Sequence, residues 1–519
     1  MAKAISEKAS KTNRRAFLGH LGSAGLAVGA LVAGSGRFGL AVAPQSIELN
    51  SLPQPRPLRL RGRVHSGGRG LAGVAVSDGV SVTDSDSEGY FEIVGDTRSR
   101  FVSLSLPAGY AIPTNASGTA RLYRPLRPDA QGEAEAVFEL SKLPHSDVRH
   151  VFYNLADPQT RTLDEMRWFQ RETVPEIARL GQNDSPGTVF GFGCGDIMYD
   201  ELSLYPEYEK AVEGMGVPFF QVVGNHDLDF ESLTNPGAST TFQDFFGPSH
   251  YSFNRGAVHY VVLNDVFWYG DGYLGYLSER QLAWLKQDLA RVEAGRAVVV
   301  ALHIPVHTTQ PERTGRSNRS AGIRVQNREA LYSLLEPYQA HILSGHLHES
   351  EHLFQGGVHE HICGAVCGAW WTGPICRDGT PMGYAVYEVD GEDFRWHYQS
   401  TGKPSDHQMR LYGPGSDPSA PDELIANVWN WDPEWKVHWS EDGQLKGPMA
   451  RRIGLDPLSV KLHAGEGLPA KHPWVDPIPT GHLFYAPVSP QARRVTVEAV
   501  DRFGRTYRQE WTPPAMSGK

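Results

Sequence analysis

The sequence predicts an α/β domain flanked by two small β-sandwiches, and three observations predict it. Between residues 148 and 400, short apolar runs that end in polar clusters alternate with segments of 3.6-residue periodicity. Residues 58–143 instead show period-2 alternation broken by Gly and Asp turns. After a Pro/Gly/Ser stretch that ends near Ala420, residues 421–515 are again strand-like and rich in aromatics, with Trp429, Trp431, Trp435 and Trp439. A chain of 519 residues exceeds one ordinary domain, and 40% hydrophobic residues suffice for several cores.

The first domain follows a linker at 44–57 marked by Pro44, Pro53, Pro55 and Pro57. Its first strands are expected around 61–64, 71–79 and 83–93, an arrangement similar to the carboxypeptidase-regulatory or transthyretin-like sandwich. Such a module packs or faces carbohydrate; fold alone assigns it no chemistry. In the central domain, strands are predicted at 151–155, 188–192, 219–223, 259–263, 297–302 and 340–343, and helices at 163–180, 278–293 and 328–335. In such a sheet the functional groups gather at the carboxyl ends of the strands.

The first 43 residues stand apart. Arg14-Arg15-Ala16-Phe17-Leu18 precedes a Gly/Ala-rich apolar run at 21–33, which resembles a twin-arginine export signal cleaved between Gly34 and Ala43. The alternative is a short anchor helix, but the run is shorter than the roughly 20 residues a spanning helix needs. Removal of this segment predicts a periplasmic or secreted protein with no membrane span. Six basic residues against Glu7 leave with it, so the formal charge moves from -10 to about -15, which argues against a nucleic-acid polymer as the main partner. Cys194, Cys363, Cys367 and Cys376 form no CxxC motif. Oxidation of a pair among the last three and four buried thiols both remain open.

Five segments place a metal-type ligand just beyond an apolar strand: Asp157-Pro158-Gln159, Gly195-Asp196, Gly224-Asn225-His226-Asp227, His303, and Gly345-His346-Leu347-His348. Each alone is unremarkable, since an Asp after a strand is usually a helix cap and Gly-Asp usually a turn. Together, on successive strand ends of one α/β unit, they supply the mixed carboxylate, amide and imidazole set that holds two metals about 3.5–4 Å apart for phosphate-ester hydrolysis.

This order of motifs resembles the calcineurin-like metallophosphoesterase superfamily over residues 148–400. The resemblance implies a four-layer α/β/β/α core and two divalent or mixed-valence metal ions (Mn, Zn or Fe). It implies that Asp196 bridges them, that Asp157 and His348 hold the first, and that Asn225, His303 and His346 hold the second. His226 would protonate the leaving oxygen and Asp227 would orient His226. The implied reaction is hydrolysis of phosphomonoesters or phosphodiesters by a metal-bridging hydroxide. The first motif departs from the common D-x-H, with Gln159 at its third position; Gln159 would ligate weakly or hydrogen-bond a bound water. Tyr199, three residues after Asp196, matches the iron-ligating Tyr of purple acid phosphatases, or packs beside the site while Asp200 contacts a neighbouring loop. More narrowly, Val74-Ala75-Val76-Ser77-Asp78-Gly79, Cys367-Gly368-Ala369-Trp370-Trp371 and the Trp-rich end resemble a bacterial subgroup with N- and C-terminal sandwiches.

Substrate choice is expected from the loops around this set: 266–273, the basic stretch 308–324, whose Arg313, Arg316, Arg319 and Arg324 either grip a second phosphate or acidic sugar or form a solvated loop, and Trp370-Trp371; the aromatics either stack on a sugar or base or simply pack. His307 reads as a loop residue or a neighbour of the ligands. Glycan- or lipid-linked phosphate esters are an expectation that rests on export alone. The competing function is a non-catalytic cell-envelope polymer-binding protein with a degenerate metal site, which Gln159 alone favours.

Overall fold

The computed structural model describes residues 56–182, 188–316, 321–465 and 468–514. The export segment expected at 1–43 lies outside the described residues, as does Arg319.

The central domain is built on two sheets. The first contains β1 (Arg149–Leu155), β2 (Val189–Cys194), β3 (Phe219–Val222), β10 (Gly383–Asp390) and β11 (Asp393–Ser400), in the order β3-β2-β1-β10-β11. The first three run parallel, and β10 and β11 are antiparallel. The second contains β4 (Tyr251–Arg255), β5 (Val258–Val262), β6 (Ala297–Ala301), β7 (Gln339–Ser344), β8 (Glu351–Gln355) and β9 (Val358–Ile362), in the order β4-β5-β6-β7-β9-β8. Here β5, β6, β7 and β9 are parallel, with antiparallel strands at both edges.

Strand periodicity sorts the side chains into layers. Phe152, Phe190, Phe192 and Phe220 meet Phe253, Tyr260 and Val299 between the sheets, with Phe220 and Phe253 stacked at 3.9 Å. The alternate residues face helices. Tyr153 and Val189 pack under α1 (Leu163–Gly181) and α2 (Tyr205–Met215), and Val261, Val298 and Val300 pack under α3 (Glu279–Leu289) and α4 (Arg328–Leu335). This is the expected four-layer α/β/β/α core. A capping box sets the start of α1: the Thr162 amide donates to Glu165 Oε2 at 2.9 Å and the Glu165 amide donates to Thr162 Oγ1 at 3.3 Å.

Both flanking domains are β-rich. The first pairs Pro57–Ser66 with Tyr90–Asp96 and Glu133–Glu139, burying Leu58, Leu60, Phe91, Ile93 and Phe138, and adds a second four-stranded sheet. It joins the core through the bridges Leu106–Phe253 and Thr119–Phe219. The last domain stacks two four-stranded sheets around Trp435, Trp439, Phe484 and Val497. His482, held by Asn427 of the same domain (2.7 Å), ties it to the core by a hydrogen bond to Asp378 (3.0 Å). No helix among the described residues is long and apolar enough to cross a membrane.

Candidate metal centre

Asp157 follows β1, Asp196 follows β2, Asn225 to Asp227 form a single turn after β3, His303 follows β6, and His346 and His348 follow β7. The two sheets bring these strand ends together. Six residues here have left-handed backbone: Asp157, Gln159, Asp196, Asp200, His346 and His348, with φ between 41° and 69°. Such geometry costs on the order of 1–3 kcal/mol per residue and persists where surrounding structure imposes it. Two glycines allow the close approach. A Cβ on Gly224 would lie 2.0 Å from the Asp196 amide nitrogen, and one on Gly345 would lie 2.5 Å from Asp157 Oδ2.

Asp196 is buried at the centre. Its Oδ1 lies 3.2 Å from His303 Nε2 and accepts the His226 amide at 2.8 Å; its Oδ2 accepts from Gln159 Nε2 at 2.9 Å. Asn225 Oδ1 also lies 3.2 Å from His303 Nε2. Candidate ligand atoms of Asp196, His303 and His346 fall within 4.8 Å of one another. Beside them, Asp157 Oδ1 lies 3.6 Å from His348 Nε2.

Each imidazole is held by its other nitrogen, which fixes the tautomer. His303 Nδ1 donates to the Cys194 carbonyl (3.0 Å), His346 Nε2 to the Gly322 carbonyl (2.9 Å) and His348 Nδ1 to the Gly368 carbonyl (2.5 Å). His346 Nδ1 and His348 Nε2 are buried with no hydrogen-bond partner among the described residues. Two lone pairs buried without a donor, beside carboxylates, fit a cation. The electrostatics agree. Burial and the charge of Asp196 push both Asp157 and Asp227 above the usual carboxylate range. Burial would lower His303, but the charges of Asp196 and Asp157 outweigh it and lift the imidazole to about 10.

Three expectations need correction. Asp227 does not orient His226. Its oxygens accept from the amides of Ile197 (3.1 Å), Met198 (3.0 Å) and Gly224 (2.9 Å) and from Tyr205 Oη (3.2 Å), which uses up its acceptor capacity. The partner of His226 is Asp200, whose Oδ1 lies 2.7 Å from Nδ1. Gln159 turns its amide nitrogen, not its carbonyl oxygen, toward Asp196. Arg313 does not face a substrate: it is buried against Glu349 (3.0 Å) and Glu351 (3.7 Å) and bonds the Pro479 carbonyl. Arg324 pairs with Glu312. The four cysteines are buried free thiols.

Asp227→Ala is expected to strand three buried amides at about 1–3 kcal/mol each. A loss of at least about 3 kcal/mol in urea unfolding of the metal-free protein checks this.

Further neighbours surround these residues, and of them Asp265, Lys471, His472 and Trp474 carry no motif in the sequence. Asp265 Oδ1 accepts the His303 amide at 3.2 Å, and burial raises Asp265 to about 7. Trp370 stacks on His348 at 3.9 Å, and Tyr199 stacks on His226 at 4.5 Å. Tyr273 meets His346 edge-on at 6.1 Å. The last domain reaches the same rim: Trp474 lies against Trp370 at 4.7 Å, His472 approaches Tyr199 at 5.5 Å, and Lys471 pairs with Glu165.

The model for the calcineurin-like phosphoesterase matches residues 151–350, and those for the N- and C-terminal domains of calcineurin-like phosphoesterases match 58–143 and 360–507. The chain belongs to the calcineurin-like phosphoesterases. The bovine (Bos taurus) serine/threonine-protein phosphatase CPPED1 is 28% identical over 253 residues, 46% of this chain and 76% of that protein. Purple acid phosphatase 15 of Arabidopsis thaliana is 29% identical over 181 residues, 30% of this chain and 31% of that protein. A dimetal phosphatase from Danio rerio superposes with a TM-score of 0.34 at 16% identity, over 48% of this chain and 96% of that structure. In this phosphoesterase the match to the C-terminal model begins at 360, so it takes in β10 and β11 of the core sheet as well as the last domain.

Proposed function

We propose that this chain is an exported two-metal hydrolase of phosphate mono- or diesters. The observation that carries the reading is the convergence of Asp157, Asp196, Asn225, His303, His346 and His348, with unpartnered lone pairs on His346 and His348. In this reading Asp157 and His348 would hold one ion, Asn225, His303 and His346 would hold the other, and Asp196 would be shared between them. The ions supply the positive charge that neutralises the phosphate and the acidity that makes a water nucleophilic at neutral pH.

The chain's own groups do the rest. His226, with Nδ1 held by Asp200 and its ring stacked on Tyr199, presents Nε2 as the proton donor to the leaving oxygen. Trp370 keeps His348 in plane. Trp474, half exposed, and His472 offer stacking faces for the organic part of an ester, which suits sugar- or lipid-linked phosphates. The Tyr199 ring lies flat on His226, which favours a positioning role for it over an iron ligand.

Hydrolysis of p-nitrophenyl phosphate and bis-p-nitrophenyl phosphate by metal-reloaded protein tests the reading. Turnover that disappears in Asp196→Asn supports it, and the better ester names the substrate class. A metal-loaded protein inert on both would favour the polymer-binding alternative. Export is supported by Arg14-Arg15 and the run after them. Replacing both arginines by lysine is expected to hold the protein in the cytoplasm, read by fractionation of the expressing cells; unchanged location would discard the twin-arginine reading.

A further inference from the structure

A second cluster of imidazoles lies away from the centre described above. His341 on β7 registers with His359 on β9, and His361 on β9 registers with His352 on the edge strand β8, so four histidines share one face of the second sheet. His341 stands five residues before His346, roughly 15 Å back along the strand at about 3.3 Å per residue. The layer between the sheets is elsewhere built of Phe, Tyr and Val. Here Phe394, Trp396 and Tyr387 cover the imidazoles from the first sheet, at ring separations of 4.4, 4.9 and 5.4 Å.

Candidate ligand nitrogens of His341, His359 and His361 fall within 4.8 Å of one another. Tetrahedral coordination with metal–nitrogen bonds of about 2.0–2.1 Å asks for separations of about 3.3 Å, within reach of small side-chain rotations. A chain of hydrogen-bonded neutral imidazoles is the other way to satisfy this group, and it does not close. His352 Nε2 is 2.9 Å from Asn430 Oδ1, so it donates there, and its Nδ1 then accepts from His359 Nε2 at 3.1 Å. His341 Nδ1 and His361 Nε2 share one hydrogen bond at 3.0 Å. His361 Nδ1 is then left buried with no partner among the described residues, in either tautomer.

We propose that His341, His359 and His361 form a structural site for a divalent transition metal, with zinc, copper or nickel as the class an all-imidazole set selects. Burial, the first cause, and the nearby Arg502 hold His341 down to about 4 and keep the other two low, so the lone pairs that ligation needs are available at neutral pH. Arg502 does not leave the region cationic: it pairs with the buried Asp432 at 3.5 Å and with Glu434. Asn430, Asp432 and Arg502 come from the last domain and pack beside this patch, with Asn430 bonded to His352, whereas an ion here would itself fasten β7 to β9 within the core sheet.

Zinc-edge anomalous diffraction from wild-type crystals soaked in zinc chloride tests this without a mutation. A peak among the three imidazoles is expected, and its absence overturns the site. In solution, zinc per chain is compared between the wild type and His341→Gln or His361→Gln. Each variant is expected to lose one equivalent while p-nitrophenyl phosphate turnover is retained. His341 is only partly buried, so His341→Gln keeps the count readable if His361→Gln does not fold. Equal zinc content in variant and wild type, even with a peak in the crystal, would mean binding at crystal concentration only and would overturn the proposal.

Discussion

Asp196→Asn is expected to reduce phosphate-ester turnover to background and to strip metal from the centre, while the fold survives. Asp196 sits at the middle of the ligand set: Oδ1 faces His303 and Oδ2 accepts from Gln159. Asparagine keeps the shape and can still accept the His226 amide, and a flip of the Gln159 amide restores the other bond. It removes the charge that binds the ions. That same charge raises Asp157 and Asp227 in the metal-free protein. It also lifts His303, so the substitution loses that pairing while relieving the two carboxylates, and metal-free Asp196→Asn should still unfold in one cooperative urea transition. Lost activity without such a transition would instead mean that the substitution damaged the fold.

His226→Ala should slow kcat on phenyl phosphate by about 10²–10⁴-fold, the span of general acid catalysis. The loss should be smaller on p-nitrophenyl phosphate, whose leaving group scarcely needs a proton, and the metal content should be unchanged. Asp200→Asn should show the same leaving-group dependence at about 10–100-fold, because its carboxylate holds His226 Nδ1 at 2.7 Å. Asp227→Asn should not, because its oxygens are spent on three amides and Tyr205. Equal losses on both esters in His226→Ala would refute the proton-donor role.

The difference between Asp200 and Asp227 shows where sequence reasoning runs out. The family resemblance implied Asp227 as the partner of His226. In the turn after β3, however, Asp227 points back to the amides of Gly224, Ile197 and Met198, and the loop after Asp196 brings Asp200, at φ 63°, to the imidazole instead. Arg313 is a similar case: a basic loop suggests substrate, but Glu349 and Glu351, beyond β7, claim it.

By itself the sequence determined the α/β core and marked the ligand-type residues at its strand ends. Strand periodicity is local, and the ligand-type side chains cluster just past strand ends within motifs of a few residues. Only the tertiary structure decided which groups hold those side chains in place. The stacking of Trp370 on His348, the support of His303 by Asp265, and the rim built by His472 and Trp474 join residues from separate segments of the chain. Such pairs share no spacing; they meet because two sheets pack face to face and a third domain closes over their edge.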